Sequence, residues 1–456
     1  MPQILEAGLK TVSIVPDQPC PMAGFYARTG FHQGVHDPLE ITALYLRQGD
    51  QEVWICAGDL CQFPDHDGKV AGLKILQERL SCEAASLFLN ASHTHGSPAV
   101  NPHPVVLPPA LHVWFEPRYA EAARGYGDFL WERVAEACEA ARREAEPAML
   151  MTATGVSRLP MSRRRNVNGF VDNAPAPQGE TDSRLRLLGL CTPSGDLRAL
   201  GLALACHPTS TGAQLELTAD FPGAWRRAMR QRHGSGVDFF FLQGCGGDAR
   251  PSRTRDGDHW RTVDFDTLES MGQDLADETE AAIQNGWQPV ATPSLATARR
   301  TTHLPCSSLE PAPDWVQQCA DGLDVYRQAY LDAVAADRLR GLSPPLEIPV
   351  DLSLVRLGPD LALIGADCEI LCGLGRRIES GLPGVNAIVC GLTNGGFGYL
   401  PDDAENERGG YEAESYIFEK WGGPFARGID DRMRRRVASL WASLPPPLEP
   451  TLQPSS

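Results

Sequence analysis

The stretch SLFLNASHTHG, Ser86 to Gly96, runs from an apolar segment straight into two histidines, His93 and His95. A short apolar run bounded by polar or glycine-rich residues reads as a buried strand, and five more follow the same plan. EVWICAGDL (52–60) ends on Asp59 and ALGLALACHPTS (199–210) on His207. VDFFFLQGCGGD (237–248) ends on Cys245 and Asp248, LALIGADCE (361–369) on Asp367 and Glu369, and AIVCGLTNGG (387–396) on Asn394. In sheets covered by helices, ligand sites gather outside the carboxyl ends of the strands. These six endings predict one layered α/β domain, a mixed β-sheet core flanked by helices, with one shared site.

Helical periodicity covers roughly 66–81, 118–145, 266–285, 314–340 and 427–443. Proline-rich breaks fall at 102–110, 173–180, 307–314 and 343–349, and no internal repeat is visible. A single catalytic domain is expected over 1–443, followed by a proline-rich tail over 444–456.

The chain has 456 residues, 42% hydrophobic and 22% charged, which fits a soluble globular protein. A net charge of −17 argues against nucleic-acid or anionic-membrane partners, since both need a basic footprint. No apolar stretch approaches the roughly 20 residues of a membrane helix, and the N-terminus lacks the pattern of a signal peptide. Thirteen cysteines without CxxC pairs suit reduced, buried thiols in a cytoplasmic protein. The expected partner is a small-molecule substrate.

At a strand end, residues i and i+2 point to the same face, so His93 and His95 could reach one metal; a capping turn is the alternative. The HxHxDH and HExxH patterns are absent, so any metal site must be assembled from distant strands. His207, before a proline and a hydroxyl cluster, is either a site residue or a turn histidine. Glu369 needs a partner or a cation in such a position. Asp59, Asp220 and Asp248 share that reasoning, with a helix N-cap as the alternative. The glycine-rich QGCGGD (243–248) lets backbone N–H groups approach a ligand, and it lacks the GK[ST] of a phosphate loop. Cys245 there is a buried structural thiol or a nucleophile. Arg163-Arg164-Arg165 reads as a solvated loop, or as a cationic contact for an anionic substrate group.

Together these segments resemble the neutral/alkaline non-lysosomal ceramidases, in the same order along the chain. SHTHGSP (92–98) is similar to that family's THTHSGP motif, VSRLP (156–160) to NRSP, and ACHPTS (205–210) to its second histidine motif. PMAGFYAR with GVHDPLEITAL (34–44) is similar to its opening strands, and TADFPG (218–223) to its aspartate segment. GADCEILCGLGRR (365–377) is similar to GEFTTMAGRR, and GLTNGGFGY (391–399) to the asparagine-to-tyrosine stretch. The resemblance implies a zinc ion held by His93, His207, Glu369 and Tyr399, and amide hydrolysis by zinc-activated water. It implies that His95 and Arg158 face substrate, His95 as acid/base or oxyanion partner. Asp220 is expected to orient a ligand histidine; Gly244, Cys245, Arg163 and Arg250 are expected at the substrate. An ester or lactone hydrolase with the same site, and a catalytically silent ligand-binding homologue, are the alternatives.

Three departures stand out. The family's glycine-rich segment reads GDVSPN with a serine implicated in catalysis, where this chain has Gly247-Asp248-Ala249-Arg250-Pro251. The family's C-terminal immunoglobulin-like domain and its secretion signal have no counterpart here. The expected substrate is therefore a small or polar amide rather than ceramide, and an arginine in the pocket favours a carboxylate or phosphate group.

Overall fold

The computed structural model describes residues 4–25, 27–101, 106–309 and 323–447. The first nine residues of the helix expected over 314–340, part of two proline-rich breaks and tail residues 448–456 lie outside the described residues. All six apolar runs are strands, and they fall two to a sheet in three sheets of one plan. In the first, Glu6–Ser13, Glu40–Gln48 and Gln51–Gly58 run antiparallel in order, and Leu87–Ala91 then lies parallel to Gln51–Gly58. In the second, Met149–Val156, Arg184–Cys191 and Leu197–Leu204 are antiparallel and Asp238–Gln243 parallel to the last. In the third, Ala296–Pro305, Glu347–Gly358 and Leu361–Ala366 are antiparallel and Asn386–Cys390 parallel to the last. A parallel neighbour needs a crossover, and a helix supplies it each time: His66–Leu80, Asp220–His233 and Cys372–Glu379. A second helix then packs on each sheet: Pro117–Arg143, Phe265–Gly286 and Ile429–Ala442. The chain is thus built from three β-β-β-α-β-α units, a repeat that no sequence similarity between them betrays.

Burial explains how the units assemble. Inner faces of all three sheets share one apolar cluster, with Leu46 and Phe88 from the first, Leu188 and Phe240 from the second, and Leu363 and Ile388 from the third. Outer faces bury separately under their own helices, through Trp54 and Trp131, Trp225 and Phe241, and Leu352 and Met433. Each such side chain contributes roughly 2 kcal/mol of transfer free energy. Glycine allows the helix pairs to close: a Cβ at Gly72 would stand 1.8 Å from the Trp131 ring, and one at Gly272 would stand 2.4 Å from the Ala224 backbone. No helix among the described residues is long and apolar enough to cross a membrane.

The parallel strands of the three units meet at a seam of side-chain amides. Asn90, fully buried, accepts from Gln243 N at 2.7 Å and donates to Gly391 O at 2.8 Å, joining all three units. Asn394 accepts from Leu89 N at 2.9 Å and donates to Leu87 O at 3.0 Å. Unpaired backbone groups at strand ends would cost free energy in this dry interior; the two asparagines satisfy them and fix where the strands end.

Candidate active site

Just past that seam the strand ends converge. Cys61, His207 and Glu369 each stand three residues beyond the end of the third strand of their unit, at Gly58, Leu204 and Ala366. The pseudo-repeat therefore delivers one residue from each unit to a common point. His93 joins them from the end of Leu87–Ala91, with a left-handed backbone (φ 67°) that a non-glycine residue adopts at a cost. Glu369 Oε2 lies 3.1 Å from His93 Nε2 and 2.9 Å from His207 Nε2.

The imidazoles are aimed by backbone carbonyls. His93 Nδ1 donates to Cys61 O at 2.8 Å, and His207 Nδ1 donates to Gly246 O at 2.6 Å. Both Nε2 atoms are thereby left facing Glu369, and the donor atoms of His93, His207 and Glu369 all lie within 4.8 Å of one another. This is the arrangement in which histidine ligands are oriented by their second nitrogen. His93 and His207 are 3% and 1% exposed. The flanking histidines hold the Glu369 carboxyl well below the usual range against its burial, and Glu369 in turn raises His93.

His95 is the more open histidine of the cluster. Its Nε2 is 3.3 Å from His93 Nε2, and its ring lies edge-on to Phe25 with centroids 4.8 Å apart. A Cβ at Gly24 (φ 91°) would stand 2.3 Å from that ring, so only glycine lets this loop cover it. Burial and the neighbouring His93 depress its pKa well below the ordinary value, which keeps it neutral. Among the described residues its Nδ1 has no hydrogen-bond partner.

Tyr399 pairs in register with Glu369 across the short parallel strands Cys368–Ile370 and Phe397–Leu400. Its ring stacks near His207 at 6.3 Å between centroids, lies edge-on to Tyr411 at 5.4 Å, and is covered by the Arg163 guanidinium at 5.3 Å. Burial, then Glu369, pushes the Tyr399 hydroxyl well up.

Other expectations are corrected. The run Arg163-Arg164-Arg165 is no solvated loop: it lies in the strand Pro160–Val167, and Arg163 and Arg164 are 5% and 4% exposed. Both bond the buried Glu412, and Arg163 Nη2 also donates to Gly247 O at 2.7 Å. Charges taken out of water need partners, and Arg163 finds them in the protein while lying over the Tyr399 and Tyr411 rings. Arg158 is not brought to the histidines; its side chain is 87% exposed and bonds Glu278 at 3.2 Å, on the helix Phe265–Gly286. Asp220 orients no imidazole. It caps the segment carrying His207 instead, accepting from Ser210 N and Oγ at 2.7 and 2.6 Å. Gly244 bridges to Cys390, and Cys245 packs into the outer core of the third unit with its thiol toward Val389 O. Arg250 lies half-buried over the Trp260 ring at 4.9 Å.

The remaining strand-end acids are structural. Asp59 binds Arg226 Nη1 at 2.7 Å, Asp248 accepts from Cys372 N at 3.0 Å, and Asp367 binds Lys69 at 2.7 Å. Cys61, Gly246, Tyr411 and Glu412 were not foreseen. Cys61 had a signal, its equivalence to His207 and Glu369 in the repeat; Tyr411 and Glu412 sit in a loop without pattern.

This geometry sits on a known architecture. The crystal structure of neutral ceramidase from Pseudomonas aeruginosa matches 100% of this chain and 77% of its own, with a TM-score of 0.70 and 15% identity. A ceramidase complexed with C2 matches 96% of this chain and 75% of its own, with a TM-score of 0.68 and 15% identity. The fold is neutral ceramidase-like. No family model and no curated protein matches the sequence, so the likeness is one of structure. In this chain the three repeated units meet at the cluster, so the scaffold brings distant strand ends together.

Proposed function

We propose that this protein is a zinc-dependent hydrolase that cleaves the C–N bond of a small or polar linear amide. The observation that carries this reading is the convergence of two imidazole Nε2 atoms on one Glu369 oxygen, at 3.1 and 2.9 Å. Two histidines and a carboxylate, with both Nδ1 atoms already committed to carbonyls, fit a zinc ion, and Tyr399 beside Glu369 would add the openable fourth ligand. When bound, zinc would lower the pKa of a water towards about 7 and polarise the scissile carbonyl.

The protein's own groups do the rest. His95, neutral and 3.3 Å from His93 Nε2, takes a proton from the attacking water and returns it to the leaving amine. Arg163 lies over the Tyr399 ring and keeps positive charge against the side where negative charge develops. The loop bearing Gly24 and Phe25 covers His95 and limits the entry of bulk water. Arg250 contacts substrate from the position where the ceramidase pattern has serine. Thirteen cysteines, the described ones buried apart from Cys82, suit the reducing cytoplasm.

The direct test is a library of matched amides and esters, assayed with and without chelator. Chelator-sensitive turnover with amides preferred over esters is expected. Turnover of esters alone would move the assignment to ester or lactone hydrolysis, and chelator-resistant turnover would overturn it.

A further inference from the structure

Buried arginines are ordinarily matched by carboxylates. Arg163, Arg164, Arg226 and Arg327 follow that rule. Arg250, half-buried with a buried Nε, has no such match: among the described residues its guanidinium has no hydrogen bond and no ion pair. Burial and the repulsion of Arg163 draw its pKa down to about 10, still cationic at neutral pH. Two more buried donors are idle, one against Arg250 and one on the segment that carries His207. Trp260, whose ring the Arg250 guanidinium covers at 4.9 Å, has an indole N–H without a partner among the described residues, as has the Thr209 hydroxyl, in a residue 4% exposed.

These groups flank the metal cluster. Ala249 O accepts from His207 N at 3.0 Å, so Arg250 is the next residue along from the contact that seats a cluster histidine. Thr209 is two residues past His207, and its segment is tied to that of Trp260 by Val263 N to Ser210 O at 2.9 Å. On the other side, Arg28, 3% exposed, donates to the carbonyls of Ala23, His95 and Gly212 and has no carboxylate partner among the described residues. A protein of net charge −17 therefore keeps two uncompensated cations around one site.

We propose that Arg250, with the Trp260 N–H and the Thr209 hydroxyl, forms a subsite for an anionic group on the substrate, a carboxylate or a phosphate. The subsite rests on the hydrolytic reading only in calling its ligand a substrate. A planar guanidinium stacked on an indole presents its N–H fork bidentately to either oxyanion, and the buried donors find the partner they lack.

The test compares N-acetylglycine, N-acetyl-O-phosphoethanolamine and neutral N-acetylethanolamine on the metal-loaded full chain, by calorimetric binding and by kcat/KM. Wild type should favour one anionic compound over the neutral one by roughly tenfold or more, and the stronger anion identifies the group. Arg250→Met should erase that preference, Arg253→Gln on the exposed surface should keep it, and the thermal midpoint of Arg250→Met should stay level or rise, because an unpaired buried charge has been removed. Equal binding of the three compounds, absence of binding to wild type, or an unchanged preference in Arg250→Met would overturn the subsite. Anion-selective binding without turnover would leave it standing and remove the hydrolase assignment; equal turnover of all three would do the reverse.

Discussion

His207 Nε2 lies 2.9 Å from Glu369 Oε2, although the two residues are 162 positions apart and belong to different sheets. Each stands three residues beyond the third strand of its unit, so a repeated piece of backbone has been given different side chains at one position. Cys61 is the third copy, and its carbonyl accepts from His93 Nδ1 at 2.8 Å. At this repeated position one unit thus aims an imidazole with its backbone, while the other two supply side chains to the cluster.

Tyr399 borders the cluster without being needed to assemble it, since His93, His207 and Glu369 converge by themselves. Tyr399→Phe should keep its bound metal and lose roughly a hundredfold in kcat, the scale expected for one stabilising group at a developing oxyanion. Metal analysis beside steady-state kinetics separates the two effects.

Asn90 joins all three units through Gln243 N and Gly391 O. Asn90→Ala strands buried polar groups at the seam, with a cost of roughly 3 kcal/mol. Urea denaturation should show a lower midpoint with an unchanged slope.

Asp248 is 3% exposed, and burial raises its carboxyl to about 6, while the hydrogen bonds from Cys372 act against that shift. Its folded pKa is above the roughly 4 of an unfolded aspartate, so its favourable contribution is present below about pH 4 and lost as pH rises through about 6. Relative to wild type, Asp248→Asn should therefore gain roughly 2 kcal/mol of stability between pH 4 and pH 7. Paired denaturation curves at the two values check the sign.

Cys245 is 5% exposed, and burial pushes its thiol well above the ordinary value. A thiolate nucleophile would need the opposite. Iodoacetamide should leave the native protein active and Cys245 unmodified, as peptide mass mapping would read.

The six apolar runs were legible because each is buried on both faces and so is apolar throughout. The edge strands were not: Ala296–Pro305, ATARRTTHLP, is half polar because one face meets solvent. The helix Asp220–His233 is not among the expected helices; Pro222 and Gly223 interrupt the helical pattern, yet they occupy its first turn, where proline lacks no needed hydrogen bond. Cys372–Glu379 was hidden by its eight-residue length and two glycines. The histidines and Glu369 could be read from strand ends, whereas the partners of Arg163 could not, because charge pairing across 249 positions leaves no local pattern. Arg158 misled for the related reason that its side chain turns to a distant helix.

Zinc content is the most direct test, measured by elemental mass spectrometry on the purified full chain and on His207→Ala, with amide turnover followed in parallel. About one zinc per chain in wild type is expected, with both metal and turnover lost in His207→Ala. A metal-free wild type that hydrolyses amides, or a His207→Ala protein that keeps both, would contradict the assignment of this cluster as the catalytic centre.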